Sequence, residues 1–460
     1  MAAGVTDRLW GISQQRAQLR PGDRHCVVAS PVALPRIWSQ SRRTLSSLPV
    51  GDAGRGDDQG RMMDPVEQQY SQYSYPEPAD DIPTWLQTWN YDPYDPSLFS
   101  PLYWPEGRPR ANLEILVAGC GTMQAAVLAF KNPACRITGV DFSSASIAHE
   151  ARLRERHDLK NLLLEKMDLR DLPKLGRSFD LIVSSGVLHH LADPQEGLRA
   201  LAGVLEPLHG VMLIMLYGRF ARTGVYALQD AFRRMRLSQS PEGIEVVRST
   251  IQRLPPRHPA RWYFDSSPEM NSDAAIVDTF LHSQDTAYSV ADVLDFVRNN
   301  GLVFKGWLDA ALYNQDVVGL APDMADEDRW SIVEILTGLL PQHCFMASLP
   351  SRDPRSVISF ASEHWLDYVP QRHPQLRPSN FEQFKIVRGK NEFIASPLEF
   401  VLVGEANGSQ PISGILKHKA LAKLAFAERK NRAKEFYRRM WRQGHMFFSV
   451  VPVNTGARPD

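Results

Sequence analysis

Five short stretches hold residues whose types and spacing could do chemistry. Ala118-Gly119-Cys120-Gly121-Thr122 closes an apolar run over 114–118. A Gly-x-Gly turn between a strand and a helix lets the backbone come close to a ligand and leaves N–H groups free at the helix N-terminus. Asp141, 22 residues after Gly119, ends Gly139-Val140-Asp141 and is followed by Phe142. A carboxylate at that place can accept two hydrogen bonds from ribose hydroxyls. Asp168 and Leu169 follow a third apolar run, where an Asp side chain can meet an adenine amino group. Ser185 and Gly186 end a fourth, which continues into Val187-Leu188-His189-His190-Leu191. The candidate binding residues for a nucleoside are therefore Ala118, Gly119, Cys120, Gly121, Asp141, Phe142, Asp168, Leu169, Ser185 and Gly186. The fifth stretch, 278–289, carries His282, Asp285 and Tyr288 in a loop, where polar groups can serve as a base or as substrate ligands. With His189 these are the candidate catalytic residues. Cys26, Cys120, Cys135 and Cys344 show no C-x-x-C spacing, so neither a disulfide framework nor a cysteine zinc site is expected, and no metal is assigned.

Residues of these types become a site only if the intervening segments bring them together. Between 112 and 217 short apolar runs (114–118, 136–140, 162–165, 179–184, 211–216) alternate with helical stretches (123–130, 144–156, 195–205). Strands alternating with helices predict βαβ units, a parallel sheet and right-handed crossovers. In such open sheets ligands bind at the carboxyl ends of the strands, which is where the first four stretches fall.

These ordered motifs resemble those of the class I S-adenosylmethionine-dependent methyltransferases. Ala118-Gly119-Cys120-Gly121-Thr122 is similar to motif I, Asp141 to the ribose-binding acid and Asp168 to the adenine-side acid. Val187-Leu188-His189-His190-Leu191 is similar to a stretch common in small-molecule members. The 278–289 stretch and the tyrosine-rich segment before the core are similar to parts of a bacterial group of unassigned substrate. The resemblance implies S-adenosyl-L-methionine as cofactor, with Gly119 and Gly121 holding its methionine part, Asp141 its ribose, and Asp168 with Leu169 flanking its adenine. Two positions depart from the pattern: Val117 stands where motif I has an acid, and Met123 where it has a third glycine. The first leaves recognition of the methionine amine to another group, such as Gln124. An NAD fingerprint would need a glycine at 124, which is Gln124.

The predicted fold is α/β: a doubly wound, mostly parallel seven-stranded-type sheet with a helical cap and a smaller α+β C-terminal extension. Five segments follow. Residues 1–61 form the first, and its stretch up to residue 48 holds seven arginines and two aspartates but no Glu or Lys. They are expected to be disordered, a transit segment, or upstream of a true start at Met62 or Met63. Residues 62–107 form an aromatic arm with six of the thirteen tyrosines. The cofactor-binding core is 108–217, a helical cap and substrate region 218–320, and the extension 321–460. The extension includes a predicted helix over 415–443 with ten Lys and Arg against two Glu. Lys plus Arg equals Asp plus Glu at 52 each, which argues against a protein that binds polyanions over its whole surface. No apolar run approaches the roughly 20 residues a membrane-spanning helix needs. The expected function is methyl transfer to an unidentified small molecule in the cytoplasm, or in mitochondria if 1–61 is a transit segment. Two alternatives stay open: an RNA or protein methyltransferase docking through the basic helix, and a non-catalytic cofactor-binding regulator.

Overall fold

The computed structural model describes residues 65–450, apart from 89–91, 316, 318, 322–323 and 390; the expectations for 1–61, and for Trp89 and Tyr91 of the arm, lie outside the described residues. A seven-stranded sheet organises the chain: β1 (Glu114–Ala118), β2 (Arg136–Asp141), β3 (Leu162–Lys166), β4 (Leu181–Ser185), β5 (Val211–Tyr217), β6 (Val303–Trp307) and β7 (Gln342–Ser348). The strand order is β3-β2-β1-β4-β5-β7-β6. β1 to β5 pair in parallel, and β7 runs antiparallel to both its neighbours.

Alternation along β1 explains why it lies at the centre. Leu116 and Ala118 face one buried cluster, with Ile182, Met212 and Ile214. Ile115 and Val117 face the other, with Ile137, Leu181 and Val183. A strand covered on both faces must be apolar where it is covered, as 115–118 of β1 and 211–216 of β5 are. Val117, standing where motif I has its acid, is fully buried inside the second cluster and has no route to a ligand.

The last two strands correct the expected boundaries. β6 and β7 lie within segments expected to be cap and extension, and instead complete the core sheet. Residues 398–403, an apolar run that could equally suit a strand, belong to the helix Pro397–Glu405, which Ser396 and Glu399 start with a capping box. The basic segment folds as the shorter helix Phe426–Arg442, preceded by separate turns.

Helices Thr223–Arg234, Pro241–Arg253, Pro259–Ser266 and Asp273–Phe280 pack around their own cluster, including Val225, Phe232, Val247 and Phe280. Tyr73 and Tyr75 of the arm lean on it. Residues 358–448 enclose another cluster around Trp365, Leu402 and Tyr437. The arm is tied to the sheet by Arg352, just beyond β7. Its guanidinium donates to Glu106 Oε1 at 2.9 and 3.2 Å and to the Tyr103 carbonyl, all buried.

Candidate active site

The strand order reverses between β1 and β4. The crevice between them is where open α/β sheets hold ligands. Gly119 makes the crevice possible. Its φ of +73° suits glycine, and a Cβ there would come within 2.3 Å of Val187 Cγ2 in the turn after β4. Gly121 also has positive φ, and its N–H donates to Asp141 Oδ2 at 2.9 Å. Asp141 Oδ1 accepts from Ser143 N–H at 2.8 Å. The carboxylate thus fixes the turn after β1 against the turn after β2. Burial raises its pKa, and the amide donors partly offset this.

Behind the turn, Glu150 of the helix Ser144–Arg156 receives Ala125 N–H and Ala126 N–H at 3.0 and 2.8 Å. These amides open the helix Gln124–Lys131, whose N-cap residue, Met123, supplies no side-chain cap. Glu150 caps that helix from a neighbouring element and takes up two of its free amides. Burial pushes its pKa up to about 8.

A cavity of about 940 Å³ opens from the crevice. Nine of the ten candidate binding residues line it; the tenth, Ala118, is buried within β1. Asp168 is on the rim, where its carboxylate holds Arg170 through Nε at 3.0 Å and Nη2 at 2.6 Å. The arm covers the same space. Thr122 Oγ1 donates to the Pro76 carbonyl at 3.0 Å, and Tyr94 Oη lies 3.1 Å from Ser185 Oγ. One of the departures from motif I, Met123, is also here, and Gln124 beside it lines the wall as well.

The far wall is built by residues distant in sequence. Asp278 accepts from Tyr70 Oη at 2.7 Å and Tyr217 Oη at 3.0 Å. Burial and this carboxylate raise both phenols well above their usual pKa, so they stay protonated and donate. His190 Nδ1 lies 3.1 Å from the Gln284 carbonyl, which can only accept. Nδ1 therefore carries the proton, and in the neutral ring the lone pair is on Nε2. His282 stacks on His190 with centroids 3.9 Å apart. Its Nδ1 accepts the Gln284 N–H at 3.0 Å, so the proton of the neutral ring is on Nε2, 3.5 Å from Tyr70 Oη. Burial pushes its pKa down to about 3.

His190, Asp278 and His282 place ligand atoms within 4.8 Å of one another, as do His189, His190 and Asp285. The first set is wired as a hydrogen-bond chain from Gln284 N–H through His282 and Tyr70 to Asp278. A metal there would need the Nε2 lone pair of His282, which this tautomer does not offer.

Of the candidate catalytic residues, His282 and Asp285 come together behind His190; Asp285 Oδ1 lies 4.0 Å from His190 Nδ1. His189 is fully buried between His190 and the Tyr217 ring. Tyr288 points into the core beside Phe296, away from the cavity. Sequence reasoning missed Tyr70, Tyr217, Arg222, Tyr263 and Asp278 as wall residues. Only the tyrosine-rich arm and the polar 278–289 stretch hinted at two of them.

Residues 116–212 match a family model described as a methyltransferase domain. This is a class I methyltransferase fold. The domain's similarities extend beyond the matched residues. An uncharacterized protein of Synechococcus sp. is 28% identical over 288 residues, covering 58% of this chain and 67% of its own length. The structure of PKMT2 from Rickettsia typhi superposes with a TM-score of 0.57 at 14% identity, over 79% of this chain and 75% of that one. The same protein in complex with AdoHcy gives 0.56, over 79% and 76%. These two likenesses establish the fold. Among the described residues no helix is long and apolar enough to cross a membrane.

Proposed function

We propose that this chain binds S-adenosyl-L-methionine at the carboxyl ends of β1, β2 and β4 and transfers its methyl group to a small molecule in the same cavity. The observation that carries this reading is the continuity of the cavity. One wall has the glycine turn, Asp141 and Ser185-Gly186; the other has Tyr70, Tyr217, His190 and Asp278.

The cofactor supplies a methyl group already activated on a sulfonium. The chain must then position the acceptor and exclude water. Gly119 and Gly121 bring backbone to the methionine part, Asp141 takes the ribose, and Asp168 with Leu169 flanks the adenine. The arm, through Tyr75, Pro76 and Tyr94, roofs the pocket. His190 is the proton acceptor for an acceptor group that arrives protonated, because its Nδ1–H is committed to Gln284 and its Nε2 keeps a lone pair. His282 and Asp285 hold His190 in place.

The basic helix does not favour the nucleic-acid alternative. Arg429, Lys430, Arg432, Arg439 and Arg442 are each bound to a carbonyl or carboxylate of this chain. The test is to incubate the protein with methyl-labelled cofactor and a cell extract split into small-molecule, RNA and protein pools. Label should enter the small-molecule pool. Label confined to RNA or protein supports the alternative, and none in any pool contradicts the methyltransferase reading.

A further inference from the structure

The far wall also carries a charge that methyl transfer leaves unexplained. Arg222 sits between β5 and the helix Thr223–Arg234; it is only 1% exposed, yet it lines the cavity. Its guanidinium lies over the Tyr217 ring, Cζ to centroid 3.7 Å, with the Tyr263 and Tyr226 rings at 5.3 and 5.7 Å. Nη1 donates to Tyr263 Oη at 2.7 Å. Nε and Nη2 make no hydrogen bond to the protein. Asp285 Oδ2, the carboxylate oxygen paired with this arginine, is 3.7 Å from Nη2, too far for a hydrogen bond, and lies 3.3 Å from Gln229 Nε2.

Buried charged donors without acceptors are costly, and native proteins rarely leave them so. The two unmet donors are also a matched pair. Nε–H and one Nη2–H lie along a single edge of the guanidinium, spaced for the two oxygens of a carboxylate. The Tyr217 ring under the guanidinium and the bond to Tyr263 hold the side chain in place. Asp278, the nearby carboxylate of the wall, already has a phenol on each oxygen and does not compete for it.

We infer that Arg222 anchors the acceptor, and that the acceptor is a small molecule bearing a carboxylate, held by Nε and Nη2. This rests on the proposed methyltransferase function and narrows its substrate class.

The test fractionates the small-molecule pool by anion exchange before labelling, with a portion of the retained fraction treated with phosphatase. Label should enter the retained fraction and survive phosphatase. Label in the unretained fraction overturns the inference while leaving methyl transfer standing. Loss of label after phosphatase assigns the anion as a phosphate and overturns the carboxylate. No label in any fraction overturns the function and this inference with it. On the labelled acceptor, Arg222→Lys should raise KM at least tenfold with kcat within threefold and unchanged calorimetric binding of S-adenosylmethionine; an unchanged KM overturns the anchor. One measurement on the wild-type protein needs no variant. Benzoate should compete with the acceptor at least tenfold better than benzamide, and equal competition also counts against the inference.

Discussion

At the residue scale, two carboxylates carry opposite duties. Asp141 holds the turns after β1 and β2 through Gly121 and Ser143. Asp141→Asn puts an N–H₂ group opposite one of these donors. It should weaken S-adenosylmethionine binding at least tenfold by calorimetry while the fold persists. Glu150 lies deeper, and its stability contribution has a definite sign. Its folded pKa of about 8 lies above the ordinary 4.5. Between these values the unfolded chain has lost the proton and the folded chain keeps it, so Glu150 stabilises most at low pH and less as pH rises through 8. Glu150→Gln lacks this slope. Urea denaturation at pH 5 and pH 8 should show the wild-type advantage over the variant shrinking with pH. An advantage that stays the same at both pH values would mean that the folded carboxylate is ionised throughout. The nucleoside-side residues were legible in the sequence because each lies within a few residues of a strand end that its own segment specifies. Tyr217, Arg222, Tyr263 and Asp278 were not, because their roles come from contacts made across 41 to 208 positions, from Arg222 with Tyr263 to Tyr70 with Asp278.

At the scale of elements, the arm and the sheet depend on Arg352. Its partner Glu106 is buried, so Arg352→Ala would leave an uncompensated charge. Breaking such a pair typically costs about 3–5 kcal/mol. Denaturant melts should show a loss of that order, with the arm's tyrosines becoming accessible first. Helix starts are partly readable from sequence: Ser289 followed by Asp292 is an N-cap pattern, and it closes as a capping box at the start of Val290–Asn299. Ser396 and Glu399 give a related S-x-x-E signal, but the apolar run 398–403 that follows suits a strand as well as a buried helix. β7 escaped notice because Gln342–Ser348 contains no Val, Ile or Thr. It is a strand because it fills the gap between β5 and β6, a tertiary cause that local propensity does not contain.

At the scale of the whole molecule, the parallel half of the sheet supplies a nucleoside wall, and three distant segments supply the wall opposite. The arm, the 223–281 helices and the 278–289 loop close over one crevice, so cofactor and acceptor should stabilise the same body. Thermal unfolding with saturating S-adenosylhomocysteine should shift upward, as a ligand that binds only the folded state requires. The shift should disappear in Gly119→Ala, whose Cβ would collide with Val187. The most direct test of the strand-end pocket is calorimetric titration of the wild-type chain and of Asp141→Asn with S-adenosylmethionine. One molecule should bind per wild-type chain, with at least tenfold weaker binding in the variant. No binding to the wild-type chain, or equal binding to both, would contradict it.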